Sequence, residues 1–334
     1  MPELPEVETV ARDLRPRLVG ATIVGARASW ARTLRTHDPA TIGDAVGGRS
    51  IEAVGRRGKQ LLLELSGDAA LTIHLGMTGQ LFVVHADAPE DPYLRFILEL
   101  EDGRELRFRD IRKFGRVGLF RRDPVTGELV QEIGGVGVFA AVGPEPLDPT
   151  FTVRDFRRRL RRRKGRLKPL LLDQTFLAGV GNIYADESLW RARLHPLRTV
   201  STLHPPDERR LYEATRAVLA EAVAWRGSSI DDYMAPDGDG GMQDRLDAYQ
   251  RTGEPCRRCG RPIRRVVVGG RATHFCSWCQ RLPAGDRLSA RAILLTLSRP
   301  VVVSPAERTE RTKRAAASRR AAARAAMGAS TGAS

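Results

Sequence analysis

The sequence lacks long apolar runs. No stretch approaches the roughly 20 consecutive apolar residues of a membrane-spanning helix, and no basic-then-apolar leader precedes a cleavage site. We therefore expect no membrane span and a cytoplasmic protein. Of the 334 residues, 42% are hydrophobic and 28% are charged, which is the composition of a globular protein with an ordinary core. The length predicts roughly two domains.

Acidic residues are fewer than basic ones. The chain has 40 Asp and Glu against 55 Lys and Arg, a formal net charge of +15. This excess favours a polyanionic partner, and nucleic acid more than an anionic membrane. The densest basic stretch, residues 151–170, has ten Lys and Arg and one Asp. Like charges at helical spacing repel unless a partner neutralises them. The sequence carries no signal of self-association, so we expect a monomer.

Cysteine is confined to one short segment, as two Cys-x₂-Cys pairs separated by sixteen residues. This spacing predicts one tetrahedral Zn²⁺ site. Two disulfides or a redox pair are the alternatives, but a cytosolic compartment and the doubled motif disfavour both. Because every ligand is a cysteine, no position stays open for a substrate, and the metal is structural. The predicted ligands are Cys256, Cys259, Cys276 and Cys279.

The cysteine segment is also strongly basic. Residues 256–281 contain seven arginines and no acidic residue. The run between the pairs predicts a β-hairpin with Gly269 and Gly270 at its tip, and a hairpin this basic should lie on phosphate. Arg271, just beyond the tip, is best placed to reach a partner, although it is equally consistent with an ordinary solvated arginine.

The pattern along the chain predicts an α+β multidomain fold. Residues 3–15 have the apolar spacing of an amphipathic helix, which Pro16 should end or kink. Short β-like runs follow to about residue 135 and indicate a β-sandwich or small barrel. Further helices are predicted for residues 152–163, 167–177, 183–193 and 206–226. The predicted divisions are a β-domain at 1–134, a linker at 135–150, a helical domain at 151–250, a zinc finger at 251–282, and a basic Ala- and Arg-rich tail at 283–334, disordered beyond 300.

A glycine turn precedes one of these helices, in LAGVGNIYADE. It is not the dinucleotide-binding fingerprint, because the full glycine spacing is absent and a helix precedes it. A helix, a glycine turn and a second helix form instead a backbone cradle for an anion. The free N–H groups of the second helix, together with Asn182, are suited to hold a phosphate. Alternatively, Asn182 is an N-cap, and both roles are compatible.

Together, MPELPEVETV, HLGMTGQL, LAGVGNIYADESLW and the cysteine module resemble the formamidopyrimidine-DNA glycosylases, base-excision repair enzymes related to endonuclease VIII. The resemblance extends from Met1 to about Gln280. It implies an N-terminal β-sandwich with a leading helix, a helical domain with a helix-two-turn-helix, and a C-terminal zinc finger hairpin. The implied partner is double-stranded DNA with damaged bases.

The resemblance also implies a catalytic apparatus at the N-terminus. Removal of Met1 would expose Pro2, whose amine is the nucleophile of the family. Glu3 resembles the general acid/base, and Glu6 resembles the second carboxylate, which orients the terminus. The alternative is that the glutamates only complement a helix dipole, an interpretation that we prefer for Glu8. The implied reaction is base excision through a Schiff base at Pro2, followed by β,δ-elimination.

Other positions match DNA-contacting residues of the family. Lys59 matches a lysine on the phosphate near the lesion, and Asn182 and Arg271 match residues that hold the phosphates flanking the flipped nucleotide. Lys164 and Lys168 match a basic pair near the lesion pocket.

Met77, Arg112 and Phe114 match a trio that fills the space left by the extruded base. Alternatively, Met77 is a hairpin-tip residue and Phe114 a core aromatic. The family usually has Pro and Arg where this chain has Ile111 and Lys113. The lesion-capping loop should lie within residues 235–250.

The predicted substrates are oxidised purines, 8-oxoguanine and formamidopyrimidines. Two alternatives stay open. One is an endonuclease VIII-like enzyme for oxidised pyrimidines, since the capping loop decides the substrate. The other is a non-catalytic, zinc-containing DNA-binding protein, in which Pro2 and Glu3 have no chemical role.

Overall fold

The computed structural model describes residues 1–131, 133–229 and 240–295. The chain divides into two compact units. The first contains Met1–Ala141 and the described part of Arg226–Gly241, and the second contains Val142–Trp225 and the described part of Met242–Glu310. Residues 235–239 of the predicted capping loop, and the tail from residue 296, lie outside the described residues. Among the helices of the described ranges, none has the length and apolar character needed to cross a bilayer.

The first unit begins with helix α1, Leu4–Leu18. Glu3 is its N-cap, and Pro5 lies in the first turn, where a missing N–H removes no helical hydrogen bond. The prediction that Pro16 ends or kinks the helix was wrong about the end, because α1 continues two residues past it. Pro16 lies in the last turn, so little of the helix follows the lost hydrogen bond.

Two antiparallel sheets follow α1. One has the strand order β1-β6-β7-β5 and the other the order β2-β3-β4-β8-β9. A short helix, α2, covers Ile42–Val46. The strands are β1 (Ile23–Arg27), β2 (Ile51–Arg57), β3 (Gln60–Leu65), β4 (Ala69–His74), β5 (Gln80–His85), β6 (Leu94–Leu100), β7 (Arg104–Arg109), β8 (Arg116–Arg122) and β9 (Leu129–Val130).

One apolar core joins both sheets to α1. Leu71 and Ile73 of β4 and Phe108 of β7 are fully buried in it, together with Val10 and Leu14 of α1. Alternating strand residues supply this core because successive side chains point to opposite faces of a sheet. The predicted β-sandwich with a leading helix is thereby confirmed.

The second unit contains helices and one β-hairpin. Helices α3 (Val153–Leu160), α4 (Leu167–Leu172), α5 (Asn182–Arg191) and α6 (Pro205–Ala224) precede the hairpin strands β10 (Arg264–Val268) and β11 (Arg271–Phe275), and α7 (Ala284–Leu294) follows. A capping box of Thr152 and Asp155 starts α3. The sequence analysis predicted the four helices and the hairpin but not α7.

The hairpin turn has the geometry that its sequence requires. Val268 pairs with Arg271, which leaves Gly269 and Gly270 as a two-residue loop. Both glycines have positive φ, +55° and +72°, as a type I′ turn demands at its two central positions. The turn therefore fixes the register of β10 and β11, and it places Arg271 first after the tip.

A buried histidine packs against this hairpin. The ring of His195 meets Phe275 edge-on, with centroids 4.5 Å apart, and its Nδ1 accepts a hydrogen bond from the Leu197 N–H. Burial lowers the pKa of His195 to about 4. Protonation would place a hydrogen on Nδ1, where the Leu197 N–H already points, so the neutral ring is the folded form.

We predict that His195 makes the protein sensitive to acid. Because its folded pKa lies below the ordinary value of 6.5, its contribution to the free energy of unfolding is complete above about pH 6.5 and is lost as pH falls towards 4. His195→Asn keeps an acceptor for Leu197 but does not titrate. Urea unfolding between pH 7.5 and 5 should show a smaller loss of stability in this variant.

His85→Asn is the matched control, since His85 is exposed and pairs with exposed Asp87. It should keep the wild-type dependence. A wild-type pH dependence in His195→Asn would contradict the assignment.

Candidate functional site

The N-terminus is held by a buried carboxylate. Glu6 Oε2 accepts the Glu3 N–H at 2.8 Å, and its Oε1 accepts the Ser228 N–H at 2.8 Å. Pro2, Glu3 and Glu6 are all buried. Glu6 thus completes a capping box for α1 and also fixes the residue that follows Pro2. The structure therefore shows that Glu6 caps α1. That it orients the terminus for catalysis stays a prediction.

Residues 226–228 support this carboxylate and were missed by the sequence analysis. Gly227 has φ +73°, and a Cβ there would lie 2.7 Å from Glu6 Oε1, so the close approach requires glycine. Arg226 makes a two-pronged contact with Asp13 of α1, at 3.0 and 2.7 Å. In the sequence, Gly227 is the one sign of a close approach at this point, and it does not identify Glu6 as the partner.

Glu8 has different surroundings. Its two carboxylate oxygens pair with Arg12, at 2.8 Å, and Arg56, at 2.9 Å. Both are ordinary ion pairs at a partly exposed position, and neither involves the terminus. This placement agrees with an electrostatic role for Glu8.

The turns that carry Met77 and Phe114 are joined by Asp110, which is fully buried. Its Oδ1 accepts the Thr78 hydroxyl at 2.5 Å and the Arg112 N–H at 3.2 Å, and its Oδ2 accepts the Gly115 N–H at 2.7 Å. One carboxylate therefore fixes both turns, because charge-assisted bonds to several donors are among the stronger hydrogen bonds.

The three predicted space-filling residues project from these turns. Phe114 is 51% exposed, so the alternative that it is a core aromatic was wrong. The Arg112 guanidinium lies 5.1 Å from the centre of the Phe114 ring. Lys113 has φ +58° and extends the other way, with Nζ 4.0 Å from the Trp30 ring centre. The departure at Lys113 thus leaves a cation that can stack on an aromatic ring. Met77 is half-buried.

Lys59 lies in the two-residue turn between β2 and β3, since Arg57 pairs with Gln60. Its positive charge acts on His74, the last residue of β4, which lies just before the Met77 turn. Burial lowers the pKa of His74, and the positive charges of Lys59, Arg35 and Arg116 lower it further. Several cations therefore surround this end of the sandwich.

In the second unit, the glycine turn and the hairpin are linked. Helix α5 begins at Asn182 with Gly181 as N-cap, so Asn182 is not the cap itself. Instead, its Nδ2 donates to the carbonyl of Ala272 at 3.0 Å, the residue after Arg271. Arg271 is exposed. The two residues predicted to hold phosphates are therefore attached to one hydrogen-bonded assembly.

Lys168 is not at the surface as a direct DNA contact requires. It is fully buried, and Nζ donates to Asp186 Oδ1 at 2.5 Å and to the Asn182 carbonyl at 2.9 Å. Asp186 Oδ2 accepts the His274 N–H of β11 at 2.9 Å. A buried ammonium requires this pairing, and a side chain with no exposed surface cannot contact a phosphate in this conformation. Lys164, by contrast, is exposed in the turn between α3 and α4.

The four cysteines converge. Their sulfur atoms all lie within 4.8 Å of one another, and those of Cys259 and Cys276 are 3.5 Å apart. Four sulfurs at the usual Zn–S distance sit about 3.8 Å apart at the corners of a tetrahedron, so this set fits one Zn²⁺. With four thiolate ligands the ion is structural, as predicted.

Family models match most of the chain. Residues 1–117 match the formamidopyrimidine-DNA glycosylase N-terminal domain, residues 142–234 match its H2TH domain, and residues 253–282 match the zinc finger found in FPG and IleRS. The chain belongs to the formamidopyrimidine-DNA glycosylase family.

Relatives and solved structures agree with this membership. The formamidopyrimidine-DNA glycosylase of Herpetosiphon aurantiacus is 47% identical to this chain, and the match covers 84% of this chain and 100% of the relative. That of Chloroflexus aggregans is 48% identical, over 84% of this chain and 99% of the relative. The Thermus thermophilus MutM (FPG) structure has a TM-score of 0.73 at 45% identity, over 84% of this chain and all of its own.

A complex of Lactococcus lactis Fpg with DNA containing an abasic site has a TM-score of 0.76 at 37% identity, over 84% of this chain and 99% of its own. The predicted enzyme class, a bifunctional DNA glycosylase and abasic-site lyase, the DNA partner and the structural zinc are thereby confirmed at the level of the family. A non-catalytic binding protein is disfavoured.

We predict that Asp110→Asn disturbs the Met77 and Phe114 turns. An amide nitrogen replaces one acceptor oxygen, so at least one donor loses its partner, at a cost of about 1–3 kcal/mol. The rate at which a damaged base is extruded can be measured from the fluorescence of 2-aminopurine placed beside the lesion. It should fall by about tenfold, as a loss of free energy of this size implies.

Asp123→Asn is the matched control. Asp123 is also buried and accepts N–H groups of Val125, Thr126 and Gly134, in a turn without the three space-filling residues. It should lose similar stability but keep the wild-type extrusion rate. Equal rates in the two variants would remove Asp110 from its role.

Proposed function

We propose that this enzyme removes oxidised purines, 8-oxoguanine and formamidopyrimidines, from duplex DNA through a covalent intermediate at Pro2. The observation that carries this proposal is the Glu6 carboxylate, which holds the Glu3 N–H and the Ser228 N–H together. A carboxylate in this position keeps the first residues in one conformation. Because both of its oxygens accept backbone N–H groups, Glu6 is suited to orientation, and we assign proton transfer to Glu3, the residue next to Pro2.

The chemistry follows from the properties of a terminal proline. An α-amino group has an unperturbed pKa of about 7.7–8.0, so a useful fraction is neutral near physiological pH. Once Met1 is removed, the Pro2 nitrogen attacks the anomeric carbon of the sugar, and the base leaves. After the nitrogen loses its proton, the bond between the anomeric carbon and the ring oxygen breaks, and the ring oxygen takes a proton. Because the amine is secondary, the product can only be a cationic iminium. This cation withdraws electrons and acidifies the neighbouring sugar proton, so that the 3′ and then the 5′ phosphate are eliminated.

Glu3 is the general acid/base in this proposal. It is next to Pro2 in sequence and buried, and a buried carboxyl can exchange a proton with the sugar ring oxygen without competition from water. Glu6 orients the terminus. Glu8 has no chemical part, since both of its oxygens pair with arginines.

Cations and one amide hold the DNA backbone. We assign Lys59, Lys164 and Arg271 to phosphate contacts, because each is at a turn or strand end and carries a positive charge. Asn182, the first residue of α5, adds an amide donor at the positive end of the helix dipole. Lys168 we now assign to positioning, since it joins the Asn182 carbonyl to Asp186.

Two observations support a preference for purines: the three predicted space-filling residues, and the DNA bound in a similar solved structure. Met77, Arg112 and Phe114 are held by Asp110 and Thr78 in turns that expose the phenyl ring. A similar structure, of Lactococcus lactis Fpg, holds DNA with an N7-benzyl-Fapy-dG, at 37% identity. We place the enzyme in the cytoplasm, with the chromosome.

We predict that borohydride traps the wild-type enzyme on abasic DNA through its N-terminus. Enzyme whose terminus is blocked by an uncleaved tag should give no adduct. Pro2→Gly should give little at pH 8, because the imine of a primary amine must gain a proton before it withdraws electrons, whereas the proline iminium is already cationic.

Lys59→Met is the control for amine chemistry elsewhere in the chain. At saturating DNA it should still be trapped. Equal trapping of the blocked and the wild-type enzyme would exclude Pro2 as the nucleophile.

We also predict the order of substrates. On duplexes with a single lesion, kcat/KM should be at least tenfold higher for 8-oxoguanine and formamidopyrimidine than for thymine glycol, a difference of about 1.4 kcal/mol in transition-state binding. A preference for thymine glycol would favour the endonuclease VIII-like alternative, which the fold alone does not exclude.

A further inference from the structure

A helix follows the zinc finger outside the segments that match the family. The zinc finger model ends at residue 282, and α7 covers Ala284–Leu294. The helix buries Ala290 completely, while Leu288 is 81% exposed. It therefore has a packed side and a solvent side, although neither the family models nor the sequence pattern predicted it.

The hairpin that carries Arg271 is packed in two separate apolar clusters. At its base, Ile263 and Cys276 pack with Trp190, Ala248 and Cys256, and the other two cysteines border this cluster. This cluster includes the zinc ligands, and its packing depends on the two Cys-x₂-Cys turns, the knuckles, which the metal holds together.

The second cluster covers the strands themselves. Val266, Val268 and Phe275 pack with Leu197, Leu282 and Ala290, and Ile293 and Leu294 of α7 border it. It contains no cysteine. Val268 is the last residue of β10 before the glycine turn, so α7 supports the hairpin up to the residue that pairs with Arg271.

Polar contacts fix α7 in this place. Asp286, which is buried in its first turn, accepts the Thr199 N–H and the Thr202 hydroxyl, both at 3.2 Å. Arg166, the N-cap residue of α4, donates to the carbonyl of Ser289. The helix is thus attached to two other segments of the second unit, through contacts that involve no cysteine.

We propose that α7 is a second, metal-independent support for the Arg271 hairpin. Zinc organises the two Cys-x₂-Cys knuckles, and α7 holds the two strands. Loss of the metal should then unfold the knuckles while the strands stay paired. The consequence for DNA binding rests on the proposed phosphate contact of Arg271, but the support itself does not.

Hydrogen exchange followed by mass spectrometry on the full chain separates the two supports. In the wild type, chelation of zinc should raise exchange at least about tenfold in peptides covering residues 253–263 and 276–282, and leave residues 264–275 within about threefold. Ala290→Glu places a carboxylate in the second cluster. With zinc bound, it should raise exchange of residues 264–275 by about tenfold or more.

Leu288→Glu is the matched control, because it introduces the same carboxylate on the exposed side of the same helix, and it should behave as the wild type. Asp286→Ala is a milder second variant with the same expected direction, and it serves if Ala290→Glu fails to fold. Wild-type strands that lose protection on chelation as fully as the knuckles would overturn the proposal. So would Ala290→Glu or Asp286→Ala strands that stay protected. Neither result bears on Pro2 chemistry, which borohydride trapping tests separately.

Discussion

The order of the N-terminus depends on one carboxylate, that of Glu6, which bonds to a residue 222 positions further along the chain. Glu6, in the first turn of α1, accepts the N–H of the N-cap residue Glu3 and the N–H of Ser228 on a returning segment. A chain terminus normally frays because little holds it. Here burial, a cap and a long-range hydrogen bond act together, so the residues next to Pro2 have one conformation. A reaction at a terminal nitrogen requires that order, because a misplaced nucleophile loses most of its advantage over solution.

The same device recurs elsewhere in this basic protein. Asp110 fixes two turns, Asp186 joins α5 to β11, and Asp286 attaches α7, each through buried oxygens. Glu187 accepts the N–H groups of three successive residues, 247–249, and burial raises its pKa to about 7. Acidic residues are fewer than basic ones, and these four are buried, where they organise loops and helix ends. Cations such as Lys164 and Arg271 are left exposed, which suits a surface for polyanions.

Local patterns were predictable from sequence, and long-range contacts were not. The hairpin turn followed from two adjacent glycines, the zinc site from cysteine spacing, and the sandwich from a series of short β-like runs, since each of these signals can be read within one continuous stretch of the chain. The contact between Glu6 and Ser228 carries no such signal. The direct DNA contact that the family resemblance implied for Lys168 does not fit its complete burial, and only the fold shows that Asp186 lies beside it. The sequence analysis did not predict helix α7, because its apolar side is narrow and includes an alanine. The roles assigned to single residues in catalysis and DNA binding stay predictions.

The central claim is that the bond to DNA forms at the nitrogen of Pro2. Tandem mass spectrometry of the proteolysed, borohydride-reduced adduct measures this directly. The account predicts a terminal peptide that begins at Pro2, lacks Met1, and carries the reduced sugar remnant on its first residue. A remnant on Lys59 or another lysine, or an active enzyme that retains Met1, would contradict it.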